Sequence, residues 1–235
     1  MYLCFFWYKT FFALFNCVTT IKKDKWRFVK RKNGDKSIKV SCKSLIMTNN
    51  LPEGDGVRTK REFEMEMSRC RDMYEKKTRD YGTSWRVLRL PSLTDQIFIK
   101  ANRIRSIEES GENRVGEDVE AEFVAMVNYA VMALIQLELE PDDGQDLPLE
   151  KAMELYDKHL HRAADLMLDK NHDYGEAWRM MRVGSMVDLI LMKLRRIKQI
   201  EDHKGKTLVS EGVEGGYMDI INYALFCLIR LHEKV

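Results

Sequence analysis

The chain has 235 residues, a formal net charge of +2, 45% hydrophobic and 32% charged residues, and five cysteines. These values exclude collagen-like, low-complexity and disulfide-stapled classes and leave room for one or two globular domains. The near-balanced charge gives no general ground for nucleic acid as a partner.

The charge is unevenly spread along the chain. Residues 1–46 hold eleven Lys and Arg against Asp24 and Asp35, so a +9 arm leaves −7 for the rest. Leu3 to Val18 is aromatic and apolar, interrupted by Lys9 and Asn16, and a basic stretch from Lys22 to Lys43 follows. A membrane span needs about 20 apolar residues. A secretory signal opens on a basic region and closes on small residues. Residues 1–46 meet neither pattern in full. Three readings stay open: a weak membrane anchor, a basic disordered arm, or a mis-assigned start ahead of Met47, where ordinary soluble composition begins. No membrane is expected unless residues 1–46 belong to the native protein. The cysteines Cys4, Cys17, Cys42, Cys70 and Cys227 form no spaced metal motif, and an odd, scattered set suits a reducing cytoplasm.

Beyond residue 58 the sequence is written twice. Between 77–108 and 170–201, at an offset of 93, there are 15 identities in 32 positions, against about two expected at average composition. They include Lys77/Lys170, Asp80-Tyr81-Gly82/Asp173-Tyr174-Gly175, Trp85-Arg86/Trp178-Arg179, Lys100/Lys193 and Arg103/Arg196. After a one-residue slip the offset is 94, and Glu117, Glu120 and Asn128-Tyr129 recur as Glu211, Glu214 and Asn222-Tyr223. Two copies of this length mean a duplicated domain and not a solenoid. Polar residues recur as well as apolar ones, which packing alone does not require.

Each copy reads as three helices. The first is expected over about Thr59–Arg79 and Leu149–His172, closed by the Asp-Tyr-Gly turns. The second starts at Ser92 and Ser185, where Ser92…Asp95 and Ser185…Asp188 have the spacing of capping boxes. It stops at Gly111 and Gly205. The third runs about Glu117–Glu140 and Glu211–Glu233. No alternating strand pattern follows residue 47. The sequence therefore predicts an all-α protein: helical repeat 1 over 59–140, a linker over 141–148 that does not pack, and helical repeat 2 over 149–235. The two tandem three-helix repeats pack as a pseudo-twofold helical bundle, like a homodimer joined into one chain. Further homodimerisation of the whole chain stays open.

Chemistry concentrates in a few recurrent places. Lys100 and Arg103, and Lys193 and Arg196, lie three apart on one helical face beside the apolar stripe. They suit phosphate, or they are snorkelling cations paired with helix acids. Asp72 and Asp165 follow Arg69 and Arg162 by three, the spacing of an ordinary intrahelical ion pair, and Asp169 adds an acid one turn on. Asp219 stands inside an apolar helix, where it is costly unless paired or bound to a metal; its counterpart is Ala125. Acids from two helices are a usual way to hold Mg²⁺. Asn128 and Asn222 are poor mid-helix residues and imply a fixed hydrogen bond, to buried backbone or to a bound base. Trp85 and Trp178 read as core plugs or stacking platforms. Arg86, Arg89, Arg179 and Arg182 read as phosphate clamps or a solvated loop. No zinc pattern, glycine-rich phosphate loop or serine elbow is present, and the five histidines form no ligand spacing.

Lys-x-x-Asp-Tyr-Gly-x-x-Trp-Arg, then Ser-x-x-Asp with Lys and Arg-Ile, then Glu-Gly ahead of Asn-Tyr, resembles the nucleotide modification associated domain 1 family. Both copies show it, most fully Lys170 to Arg179, Ser185 to Ile197, Glu211-Gly212 and Asn222-Tyr223. More distantly the pattern looks like all-α, MazG-like nucleoside triphosphate pyrophosphohydrolases. That resemblance implies Mg²⁺ as cofactor, Asp165, Asp169, Glu211 and Asp219 as metal residues, and Lys193, Arg196, Lys100 and Arg103 as phosphate residues. Asp173, Tyr174, Trp178, Arg179, Asn222 and Tyr223 complete the motif. The activity implied is hydrolysis of a nucleoside triphosphate between its α- and β-phosphates. The sequence departs from those enzymes in two ways: neither first helix carries their Glu-x-x-Glu pair, and Gly215 stands four before Asp219 in place of an acid. The alternative is a non-catalytic all-α module that binds a nucleotide or a protein, its acid site decayed.

Overall fold

The computed structural model describes residues 55–114, 116, 118–139, 146–206 and 212–233. Residues 1–46, Met47, Glu117, Glu211 and most of the linker lie outside the described residues. The described residues form six α-helices and no strand. Repeat 1 holds α1 (Asp55–Tyr81), α2 (Leu90–Ser110) and α3 (Val119–Glu138). Repeat 2 holds α4 (Leu149–Tyr174), α5 (Val183–Asp202) and α6 (Glu214–His232). A short 3-10 turn follows each Asp-Tyr-Gly, at Ser84–Val87 and Ala177–Met180.

The apolar pattern decides the arrangement. Helices α3 and α6 are apolar on nearly every face, so they lie at the centre. Phe123, Val127, Ala130, Ala133 and Leu134 of one and Ile220, Ile221, Ala224, Leu225 and Leu228 of the other are all at most 1% exposed. Helix α3 has the length and hydropathy of a membrane span, yet two thirds of its most apolar window is buried inside the protein. Its hydrophobicity is that of a core helix. Helices α2 and α5 pack together through Leu93, Ile97 and Ala101 and through Met186, Ile190 and Leu194, in the same core. Each large apolar side chain fully buried in this way contributes roughly 1.5–3 kcal/mol.

Cross-repeat pairs reveal the pseudo-twofold relation. Asp95 pairs with Lys198 at 2.6 Å, and Asp188 pairs with Arg105. At the offset of 93 these are one contact made twice, as a two-fold interface requires. Glu66 meets His232 at 2.7 Å and His159 meets Glu138 at 2.8 Å. These positions also correspond, with acid and histidine exchanged. Glu201 accepts from Thr94 Oγ1 at 2.8 Å in the first turns of α2. Glu108 reaches the first turn of α5, where a Cβ on Gly184 would stand 2.5 Å from its carboxylate oxygens. The recurrence of Glu108 and Glu201 thus reflects two acids, each lying over the other repeat's helix start, where the helix dipole favours negative charge.

Three expectations change. The second helices start at Leu90 and Val183, two residues early, because Arg89 and Arg182 adopt extended backbone as N-caps and Pro91 fits the first turn. The capping boxes therefore do not form, and Asp95 and Asp188 make the cross-repeat ion pairs instead. The end of the linker does pack: Asp146 Oδ1 accepts from the Thr83 backbone N–H at 2.9 Å, and the Leu147 N–H donates to Thr83 Oγ1 at 2.7 Å. Gly82 has φ +63°, and a Cβ there would come within 3.0 Å of the Asp146 carboxylate. Arg69 and Arg162 do not pair with Asp72 and Asp165. Their recurrent partners are Glu120 and Glu214, at the starts of α3 and α6.

Candidate functional site

The Lys193 region is built from three helices. Asp219, on the first turns of α6, accepts from Lys170 Nζ of α4 at 2.6 Å and from Lys193 Nζ of α5 at 2.5 Å. Its side chain is 15% exposed. Burial alone would raise this carboxyl, but the hydrogen bonds and charges of Lys170 and Lys193 outweigh it and hold the pKa below the ordinary aspartate value. The cost of an acid in an apolar helix is thus met by two ammonium groups, one on each carboxylate oxygen.

Beside this clamp lies a shallow open pocket of only about 20 Å³, lined by Lys193, Arg196, Ile197, Gly212, Gly215, Gly216 and Asp219 among others. Gly216 lies where the α6 start comes close to α5: a Cβ there would stand 3.0 Å from Ile197. Lys170 and Lys193 on the single carboxylate of Asp219 make the clamp itself net positive. The first turn of α6 adds backbone amides and the positive end of a helix dipole.

Repeat 1 places its charges differently. Lys100 Nζ lies 3.1 Å from Glu122, and Arg103 pairs with the same carboxylate. Glu122 is 5% exposed. Its counterpart is Gly216, while the counterpart of Asp219 is Ala125. The third helix of each repeat therefore supplies an acid to the recurrent basic pair, from positions one helical turn apart.

Of the acids assigned to a metal, the three among the described residues, Asp165, Asp169 and Asp219, do not gather into one ligand set. Asp165 and Asp169 are exposed on α4, both oxygens of Asp219 are held by lysines, and Glu211 lies outside the described residues. Among the described residues no three His, Cys, Asp or Glu side chains gather as a metal site. Among the described residues, Asp165, Asp169 and Asp219 do not offer the several free oxygens that Mg²⁺ takes.

The other motif residues resolve individually. Trp178 is 6% exposed and stacks on Phe226 with centroids 4.3 Å apart, and Trp85 is 9% exposed; both are core plugs. Arg86 is 3% exposed and donates to Gln136 at 2.5 Å. Arg179 is held by Glu62, Glu176 and Glu233. Neither arginine is a phosphate clamp or part of a solvated loop. Asn222 Nδ2 donates to the Ala163 carbonyl at 2.9 Å, and Asn128 Oδ1 accepts from Tyr156 O–H at 2.7 Å, so both asparagines bond to fixed protein partners. Asp173 and Tyr174 are exposed and Tyr223 is half-buried. Sequence reasoning missed Lys170, Glu122 and Gly216. The signal for Lys170 was present: it recurs in the motif and lies on the helix that faces a buried aspartate.

Against this geometry stand the comparisons with known proteins. The family described as Nucleotide modification associated domain 1 matches twice, over 77–137 and 170–231. The two matches cover α2, α3, α5 and α6 and the ends of α1 and α4. No curated protein and no solved structure matches the chain.

Proposed function

The chain belongs to the nucleotide modification associated domain 1 family, and from that footing we propose that repeat 2 is a nucleotide-binding module that holds phosphate without Mg²⁺. Lys193 and Arg196 face the phosphate, Lys170 adds positive field, and the glycine-lined start of α6 lets phosphate oxygens approach backbone N–H groups. The observation that supports this reading over hydrolysis is the clamp on Asp219, with Lys170 at 2.6 Å and Lys193 at 2.5 Å. An acid tied to two ammonium groups is not available as a metal ligand, and two ammonium groups on one carboxylate leave a positive charge that attracts anions. The family's association with nucleotide modification supplies the nucleotide.

The test is calorimetric titration with canonical and modified nucleoside triphosphates, with Mg²⁺ and with EDTA, alongside a pyrophosphate-release assay. Binding that persists in EDTA, falls at least tenfold in Lys193→Gln and is kept or strengthened in Asp219→Ala is the expected result. Asp219→Ala discriminates because it removes a resident anion under this reading and a metal ligand under the other. Mg²⁺-dependent pyrophosphate release abolished by Asp219→Ala overturns the proposal, as does absence of binding.

A further inference from the structure

A second cavity lies in repeat 1, between α1 and α3 and apart from the Lys193 region. It is an open groove of about 300 Å³, at the lower end of the range of small-molecule sites. Its body is apolar and aromatic, with Met73, Val124, Tyr129 and Met132 among its walls. Its two ends differ in charge. At one end Arg69 is paired with Glu120, beside Asp118. At the other stands Lys77, exposed, which among the described residues pairs with no acid. Arg69 and Lys77 are eight residues apart on one helix, roughly 12 Å.

Repeat 2 shows what keeps this groove open. There the counterpart of Lys77, Lys170, crosses from α4 to α6 and is neutralised by Asp219. In repeat 1 the position of Asp219 is Ala125, which lines the groove, so no carboxylate reaches Lys77. Asn128, 5% exposed, lines the same groove. Its Oδ1 is taken by Tyr156 O–H, which leaves its NH₂ as a donor for a guest. Lys100 Nζ, 5.9 Å from the Tyr129 ring centroid, adds positive charge near the aromatic wall.

We propose that this groove is a second binding site, for a planar aromatic molecule that carries one anionic group. The ring lies along Met73, Val124, Tyr129 and Met132 and presents an acceptor to Asn128. The anion lies at Lys77, because Asp118 and Glu120 repel it from the other end. This inference does not rest on phosphate binding in repeat 2, and either can fail without the other.

The probe is 8-anilinonaphthalene-1-sulfonate, an aromatic sulfonate whose fluorescence rises in apolar surroundings. Saturable one-site binding to the folded chain is expected. Lys77→Gln weakens it at least tenfold. Ala125→Asp, which sets a carboxylate before Lys77 as repeat 2 does, weakens it further. Lys60→Gln, at an exposed lysine of the same helix outside the groove, leaves it unchanged. Displacement by a nucleoside 5′-monophosphate identifies a base as the natural ring, and displacement by 2-naphthoate identifies an aryl carboxylate. Dye affinity unchanged in both Lys77→Gln and Ala125→Asp, or displacement by neither competitor, overturns the proposal.

Discussion

The two repeats answer one electrostatic demand with different acids. In repeat 1 Glu122 takes both Lys100 and Arg103. In repeat 2 Gly216 holds that position, and Asp219, one turn later, takes Lys193 and Lys170. The move opens a basic pocket beside α6 and leaves the α1–α3 groove of repeat 1 without its cross-link. A duplicated domain can thus keep its motif and still redistribute its cavities, because a neutralising acid can slide along the helix it occupies.

The largest test of this comparison removes the two acids in turn. Glu122→Ala leaves two cations facing a buried apolar helix. It is expected to lower stability by about 3 kcal/mol, the low end of breaking a buried ion pair, because Lys100 and Arg103 retain some solvent access. Asp219→Ala is expected to lower it by about 2 kcal/mol, since Lys170 is half exposed and can swing into water. Urea denaturation measures both, and equal losses would remove the distinction between the repeats.

A smaller effect concerns the exchanged acid–histidine pairs. Glu66→His alone sets histidine against His232 and is expected to destabilise by about 1 kcal/mol, whereas Glu66→His with His232→Glu recovers most of that loss. A double-mutant cycle in thermal denaturation reads the coupling. Strict additivity would mean that the correspondence with His159–Glu138 has no energetic content.

The smallest effect is in the pH dependence. Burial holds His159 below the ordinary histidine value despite Glu138. The unfolded chain therefore binds this proton first, and stability falls as pH drops below about 6.5. Asp219 is also depressed, so its contribution is present above the unfolded value and is lost as pH falls below about 4. His159→Gln should flatten the upper window and leave the lower one. A profile with neither window altered would contradict the burial of His159.

Much of the fold was legible because duplication repeats each apolar stripe, and the third helices are apolar enough to demand the centre. The helix starts at Leu90 and Val183 were not, because Ser92 and Asp95 imitate a cap whose real work lies across the interface with Lys198. For the site, Asp219 was readable as an acid in need of a partner. Sequence could not choose between a lysine and a metal, since that depends on which helix face Lys170 presents. Glu122 escaped because aligning the copies compares like positions, and its functional equivalent sits at an unlike one. The partnership of Arg69 with Glu120 escaped for a different reason: the nearer Asp72 offers the same charge at helical spacing.

The Glu66–His232 and His159–Glu138 contacts have a consequence for assembly. Two copies of the first half alone would set Glu66 against Glu138, acid on acid. Two of the second half alone would set His159 against His232. Each half thus discriminates against its own kind and accepts the other, and the covalent link fixes their ratio at one to one.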